Sequence, residues 1–248
     1  MATKDFAHLH VHTEYSMLDG AARLGDLFSY AKELGMSSMA TSDHGFLFGA
    51  FDFWRQAKAH DIKPIIGVEA YLTPGTHRTD RSRVRWGDGS RDDVSGGGAY
   101  THMTMWAETT EGMHNLFRAS SIASLEGQLY KPRMDREVLQ TYSKGLIATT
   151  GCPSGEIQTR LRLGQFDEAL QAASDFRDIF GKENFYCEVM DHGLDIERNV
   201  QEDLHRLAKQ LNLPYVATND LHYTRQEDHT AHAALLCVQS GSTLTDPK

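Results

Sequence analysis

Nowhere in the 248 residues do 18 apolar residues stand together, and the opening Met-Ala-Thr-Lys-Asp-Phe lacks a basic segment followed by an apolar run. Neither a membrane span nor a secretory leader is expected, and a cytoplasmic protein is the default. Cysteine is scarce: Cys152, Cys187 and Cys237 are odd in number and far apart, which argues against a disulfide framework and fits a reducing compartment. No repeat at a solenoid period occurs, and no dinucleotide Gly-x-Gly-x-x-Gly turn. Positive charge is also short. Against 34 Asp and Glu stand 25 Lys and Arg, a formal net charge of -9. That argues against a general nucleic-acid scaffold, because counterion release from DNA needs a basic face. The exclusion has a gap: a carboxylate-rich site becomes locally positive once it holds divalent cations.

The composition, 40% hydrophobic and 24% charged, suffices for a sizeable core in one large α/β domain or two small ones. Thirteen histidines are many for this length. Residues 8 to 20 read His-Leu-His-Val-His-Thr-Glu-Tyr-Ser-Met-Leu-Asp-Gly. Alternate residues of a strand share a side, so His8, His10 and His12 form one row of imidazoles, with Asp19 close behind in a loop. Such groups are the usual ligands of zinc, manganese and iron.

Strand and helix signals alternate from there. Residues 21 to 34 set Leu24, Leu27, Phe28, Ala31 and Leu34 on one helical stripe, and a strand at 37 to 42 leads into Thr-Ser-Asp-His-Gly. Residues 49 to 60 read as a helix through Ala50, Phe51, Trp54 and Ala57, and Pro64 opens an apolar strand at 65 to 72. Glu69 lies inside that strand. A carboxylate there costs several kcal/mol unless it is paired or coordinates a metal, so Glu69 requires a cation. Residues 73 to 100 break the pattern with Gly87, Gly89 and the arginines 78, 81, 83, 85 and 91. A loop this long is functional or disordered, and its arginines would meet a phosphate backbone or a neighbouring domain, or stay solvated. Further strands are expected at 102 to 107, 146 to 150, 185 to 190 and 215 to 219, with helices near 111 to 124, from Asp135, at 165 to 180 and at 195 to 211. Ser154 reads as a helix N-cap, and Thr224 with Glu227 as a capping box. Seven strands with helices between most of them predict a parallel sheet, closed or nearly closed into a barrel, with its chemistry at the carboxyl ends of the strands.

The metal-type residues fall at those ends. His10 and His12 belong to strand one, His44 follows strand two, Glu69 is late in strand three, Cys152 follows strand five, and Asp220 with His222 closes strand seven. His102 fits less well, at the start of its strand. Six segments converging on one face are far more specific than any one of them. His60, His114, His205, His229 and His232, in or beside helices, read as surface groups, and His8 and His192 as neighbours of the site.

These motifs, with Ser-Asp-His-Gly at 42 to 45, Ile-Gly-Val-Glu-Ala-Tyr at 66 to 71, Tyr-Thr-His at 100 to 102, Thr-Gly-Cys-Pro-Ser-Gly-Glu at 150 to 156 and Thr-Asn-Asp-Leu-His-Tyr at 218 to 223, resemble a known family in content and order. It is the PHP (polymerase and histidinol phosphatase) domain, in the form that heads bacterial DNA polymerase III alpha subunits of the actinobacterial kind. The resemblance implies a distorted seven-stranded (β/α)7 barrel over residues 1 to 248, the amino-terminal piece of a much longer replicative polymerase. It also implies two to three divalent metal ions, zinc, manganese or iron. His10, His12, Glu69 and Asp220 would hold one, with Glu69 bridging to a second at His102 and Cys152, and Asp19, His44 and His222 would hold the third. All nine positions are filled here, whereas some polymerase relatives have lost ligands and keep the domain as a support.

The implied activity is a metal-dependent 3'-5' exonuclease that proofreads the primer 3' end. Asp19, Glu69 and Asp220 would be its essential carboxylates, with Asp43 orienting a ligand or moving a proton. Single-stranded or frayed DNA would be the substrate, since mismatched ends unpair more cheaply. Partners would be the rest of the alpha subunit and, indirectly, the replisome clamp, with no membrane, and the isolated domain would be a monomer. Arg160 and the loop arginines are candidate phosphate contacts. Two other readings stand beside this one: a phosphomonoesterase of the histidinol-phosphatase type, and a non-catalytic domain stabilising the polymerase core.

Overall fold

Leu24, Leu27, Phe28 and Ala31 recur at helical spacing and are buried together on helix α1 (Leu24–Glu33), while Leu34 ends the helix 44% exposed. The structure, a computed structural model, describes residues 6–88, 90 and 93–246. Gly89 and Arg91 of the long loop lie outside the described residues.

Seven strands form one sheet: β1 (Ser38–Thr41), β2 (Lys63–Leu72), β3 (Thr101–Ala107), β4 (Arg133–Met134), β5 (Leu146–Thr149), β6 (Phe185–Val189) and β7 (Tyr215–Ala217). Their order is β1-β2-β3-β5-β6-β7, with β4 beside the end of β2. The histidine segment is not a regular strand. It is a closing stave: Ala40 donates to the His8 carbonyl and Ser42 to that of Val11 on one side, and on the other Leu221 donates to His10 and His12 to Leu221. A curled sheet bridged in this way matches the expected distorted barrel, with the two-residue β4 as its seventh regular strand.

The sheet is not wholly parallel. β3 runs antiparallel to both β2 and β5, because residues 73 to 100 return the chain to the edge it left instead of crossing back through a helix. That loop contains one helical turn, α3 (Ser95–Gly98), where Gly96 and Gly97 take positive φ.

On α2 (Ala50–Ala59) the buried residues are Phe53 and Ala57, while Phe51 and Trp54 point outward, 68% and 46% exposed. The expected stripe is rotated because four of the first five residues are apolar, and Phe53 is the one that packs edge-on against Phe28 at 4.8 Å. Helices α4 (Thr110–Glu126), α5 (Arg136–Tyr142), α6 (Glu156–Arg162), α7 (Phe166–Phe180) and α8 (Asp195–Leu211) build the larger core around Met105, Leu116, Phe176, Phe185 and Leu207. The N-cap of α6 is Gly155, not Ser154, since the Gly155 N–H closes a turn onto the Cys152 carbonyl at 2.8 Å. Before α9 (His229–Ser240) the Arg225 N–H donates to Asp228, one residue beyond the expected Thr224–Glu227 box. Among the described residues no helix is long and apolar enough to cross a membrane.

Arg133 ties the long loop to the sheet. It is 1% exposed, and its guanidinium donates to the carbonyls of Gly127, Ala99, Arg78 and Asp80 at 2.7–3.1 Å. Arg133→Met keeps bulk but strips donors from buried carbonyls, which should cost about 3 kcal/mol and lower the melting temperature by roughly 6 °C or more. An unchanged melt would refute the clamp.

Candidate metal centre

Glu69, 2% exposed on β2, is the hub. Its carboxylate lies 3.5 Å from both His10 Nε2 and His12 Nε2, 2.8 Å from His44 Nδ1 and 3.1 Å from His102 Nδ1, and accepts from the Cys152 thiol at 3.1 Å. Asp220 Oδ1 is 3.3 Å from each of the same nitrogens of His10 and His12. Asp19 Oδ2 meets His44 Nε2 at 2.6 Å and His222 Nε2 at 3.3 Å. All nine residues singled out in the sequence are thus gathered at one edge of the sheet. His102 belongs there because β3 is antiparallel, so its start lies beside the carboxyl ends of its neighbours.

Four of these atoms converge without a hydrogen-bond partner. His10 Nε2, His12 Nε2, His44 Nδ1 and Asp220 Oδ1 are buried and make no hydrogen bond, although His44 Nδ1 is 2.8 Å from a Glu69 oxygen. Ligand atoms of His10, His12 and Asp220, of His12, His44 and His222, and of His44, Glu69 and His102 lie within 4.8 Å of one another in each set. Imidazole, carboxylate and thiol lone pairs aimed at shared points fit divalent cations. A fourth cluster, His77, Asp135 and Glu137, differs, because the Arg78 guanidinium already pairs with both carboxylates.

Supporting bonds fix which nitrogen of each ring faces inward. His10 Nδ1 donates to Glu188 at 2.8 Å, and Glu188, fully buried on β6, also accepts from Thr149 and Thr218. His12 Nδ1 meets Ser16 Oγ at 3.0 Å, and Ser16 donates to Asp43 at 2.7 Å. Asp43 further accepts from the Thr13 N–H and from the Thr13 and Thr41 hydroxyls. Both of its oxygens are thus engaged, and the Ser16 donor leads back to the His12 ring. His192 bridges Glu197 and the Asn219 carbonyl, bracing the residue before Asp220, which sits at a φ of 44° that few side chains tolerate. His8 packs edge-on to Phe6 instead.

Burial disfavours charge throughout, and the partners decide the outcome. For His10, Asp220 and Glu188 outweigh burial and push the imidazole well up; for His44, Glu69 and Asp19 push it up to about 9. Burial and the facing His44 lower His12 to about 4. Glu69, Asp19 and Asp220 are held well below the carboxylate range by surrounding histidines despite burial. Burial and the Glu69 charge drive the Cys152 thiol well up, a shift that a coordinated cation reverses.

Sequence reasoning missed Glu188, Ser16 and His232. Glu188 carries the same signal as Glu69, an acid inside an apolar strand. His232, read as a surface group, meets the Asp19 carbonyl at 2.9 Å. Ser16 offers no signal apart from its place in the histidine segment.

A curled, mostly parallel sheet with imidazoles, carboxylates and a thiol gathered at one edge defines an α/β domain with a metal-type centre. The sequence model of the PHP domain matches residues 8–192, and the chain belongs to the PHP domain family. It is 59% identical over 255 residues to a DNA polymerase III subunit alpha of Saccharopolyspora erythraea and 54% identical over 249 residues to one of Mycobacterium tuberculosis, each covering 99% of this chain and 21% of the relative. The chain therefore spans about a fifth of those relatives. An amidohydrolase from Chromobacterium violaceum, solved with bound sulfate and no metal, shares the fold with a TM-score of 0.51 at 13% identity, over 90% of this chain and 89% of its own.

Because Glu188 sets the His10 tautomer, Glu188→Gln should weaken zinc or manganese binding about 10- to 100-fold while the chain stays folded. Equilibrium dialysis with metal analysis checks this. Equal affinity in a folded variant would remove Glu188 from the centre.

Proposed function

We propose that this chain is a metal-dependent phosphodiesterase that removes nucleotides from DNA 3' ends, as the PHP domain of a DNA polymerase III alpha subunit. The observation that carries the reading is the set of buried, unpartnered lone pairs of His10, His12, His44 and Asp220 around Glu69. Two to three divalent ions, zinc, manganese or iron, held by His10, His12, Glu69 and Asp220, by Glu69, His102 and Cys152, and by Asp19, His44 and His222, would acidify a water and neutralise charge developing on phosphoryl oxygens.

The chain's own groups supply placement. Glu188 and the Ser16–Asp43 pair hold His10 and His12 in one tautomer each, so that Nε2 of both rings faces the centre. His232 fixes the Asp19 loop. A cleft of about 530 Å³, bordered by Asp19, His44 and His102, gives access from solvent. A frayed mismatch reaches it more cheaply than a paired end, which makes the reaction corrective. Partners in this reading are the primer 3' end and the rest of the polymerase subunit, supported by the similarity to polymerase relatives.

With manganese or zinc, a 5'-labelled single strand and a mismatched primer should yield products shortened one nucleotide at a time. Asp220→Asn should slow this by about 100-fold or more, and His205→Ala, on an exposed face of α8, should leave it unchanged. Intact DNA at verified full metal loading would count against the reading.

A further inference from the structure

The cleft beside the centre is lined largely by aromatic side chains. Phe46 and Phe48 stack with centroids 4.5 Å apart and 13° between planes, and Phe48 is 69% exposed. A stacked pair left open to water at the mouth of a reactive cleft offers a flat π-surface that the fold itself does not cover.

Lys131 is the one lysine or arginine among the lining residues. Its Nζ lies 5.4 Å from the centroid of the Tyr71 ring, and among the described residues no carboxylate pairs with it. Tyr71 itself is seated by Gly45, at a φ of 67°, where an added Cβ would come within 2.7 Å of the ring. Three of the arginines that the sequence offered for phosphate contact are engaged elsewhere. Arg78 pairs with Glu126, Asp135 and Glu137, Arg83 caps the carbonyls of Gly96 and Gly97, and Arg160 lies over Trp86 and pairs with Glu156. In a chain of net charge -9, an unpaired lysine beside the centre is a local correction of sign suited to a polyanion.

We infer that this cleft is a subsite for single-stranded polynucleotide, in which an unpaired base stacks on the Phe46–Phe48 pair while Lys131 receives a backbone phosphate. The inference rests on the proposed phosphodiesterase reading and names the groups that select its substrate class. Aromatic stacking tolerates any base and has no counterpart for a paired one, and a phosphate cation adds a salt-dependent component. A small phosphate ester would need neither.

The test is fluorescence anisotropy of a labelled oligothymidylate with nonhydrolysable methylene-phosphonate linkages, bound to the manganese-loaded 248-residue chain. Phe48→Ala should weaken binding about tenfold, and should lose nothing on a matched probe whose 3' residue is abasic. Lys131→Met should lower the slope of log affinity against log salt by about 0.7. Unchanged binding in both variants overturns the subsite, as does absence of binding to the unsubstituted chain. An equal loss on the abasic probe overturns base stacking and points to an apolar protein surface as the occupant. Hydrolysis of ordinary DNA with no variant effect removes the subsite and leaves the reaction standing; variant-sensitive binding without hydrolysis does the reverse.

Discussion

The Glu69 carboxylate stands inside an apolar strand at 2% exposure, and an unpaired charge there would cost several kcal/mol. Four imidazoles and a thiol from four other segments come within 3.5 Å of it, and His10 Nε2, His12 Nε2 and His44 Nδ1 stay buried and unmatched. Burying so many polar atoms is tolerable only if something positive completes them. The arrangement of the chain around this point follows from that need. β2 delivers Glu69, the bridged segment at 8 to 12 turns two histidines toward it, and the turns after β1, β5 and β7 supply His44, Cys152, Asp220 and His222.

The antiparallel β3 is part of the same solution. A fully parallel sheet would put the start of this strand, with His102, at the edge opposite the centre. Reversal brings His102 to Glu69 at 3.1 Å, and it requires the long connection at 73 to 100, which Arg133 holds in place through three of its backbone carbonyls. The supporting acids act at one remove. Glu188 and Asp43 touch histidines or their hydrogen-bond partners, so each inward lone pair is fixed before a cation arrives.

The helical stripes of α1, α7 and α8 and the ligand spacing were legible because period and residue type carry them directly. Glu69 was legible because an acid in an apolar run has few physical explanations. Strand direction was not, since local pattern does not encode which way a strand runs; that is why His102 looked misplaced. The face of α2 was misread because Phe51, Phe53 and Trp54 offer competing stripes. The roles of Ser16 and His232 depend on contacts across 27 and 213 residues of sequence, which no local rule reaches.

The most direct test of the account is anomalous diffraction from crystals grown with manganese or zinc. Two or three peaks should flank the Glu69 carboxylate, within bonding distance of His10, His12 and Asp220 on one side and of His44 or His102 on the other. No peak at Glu69 in crystals soaked to saturation, or density confined to His77, Asp135 and Glu137, would contradict it.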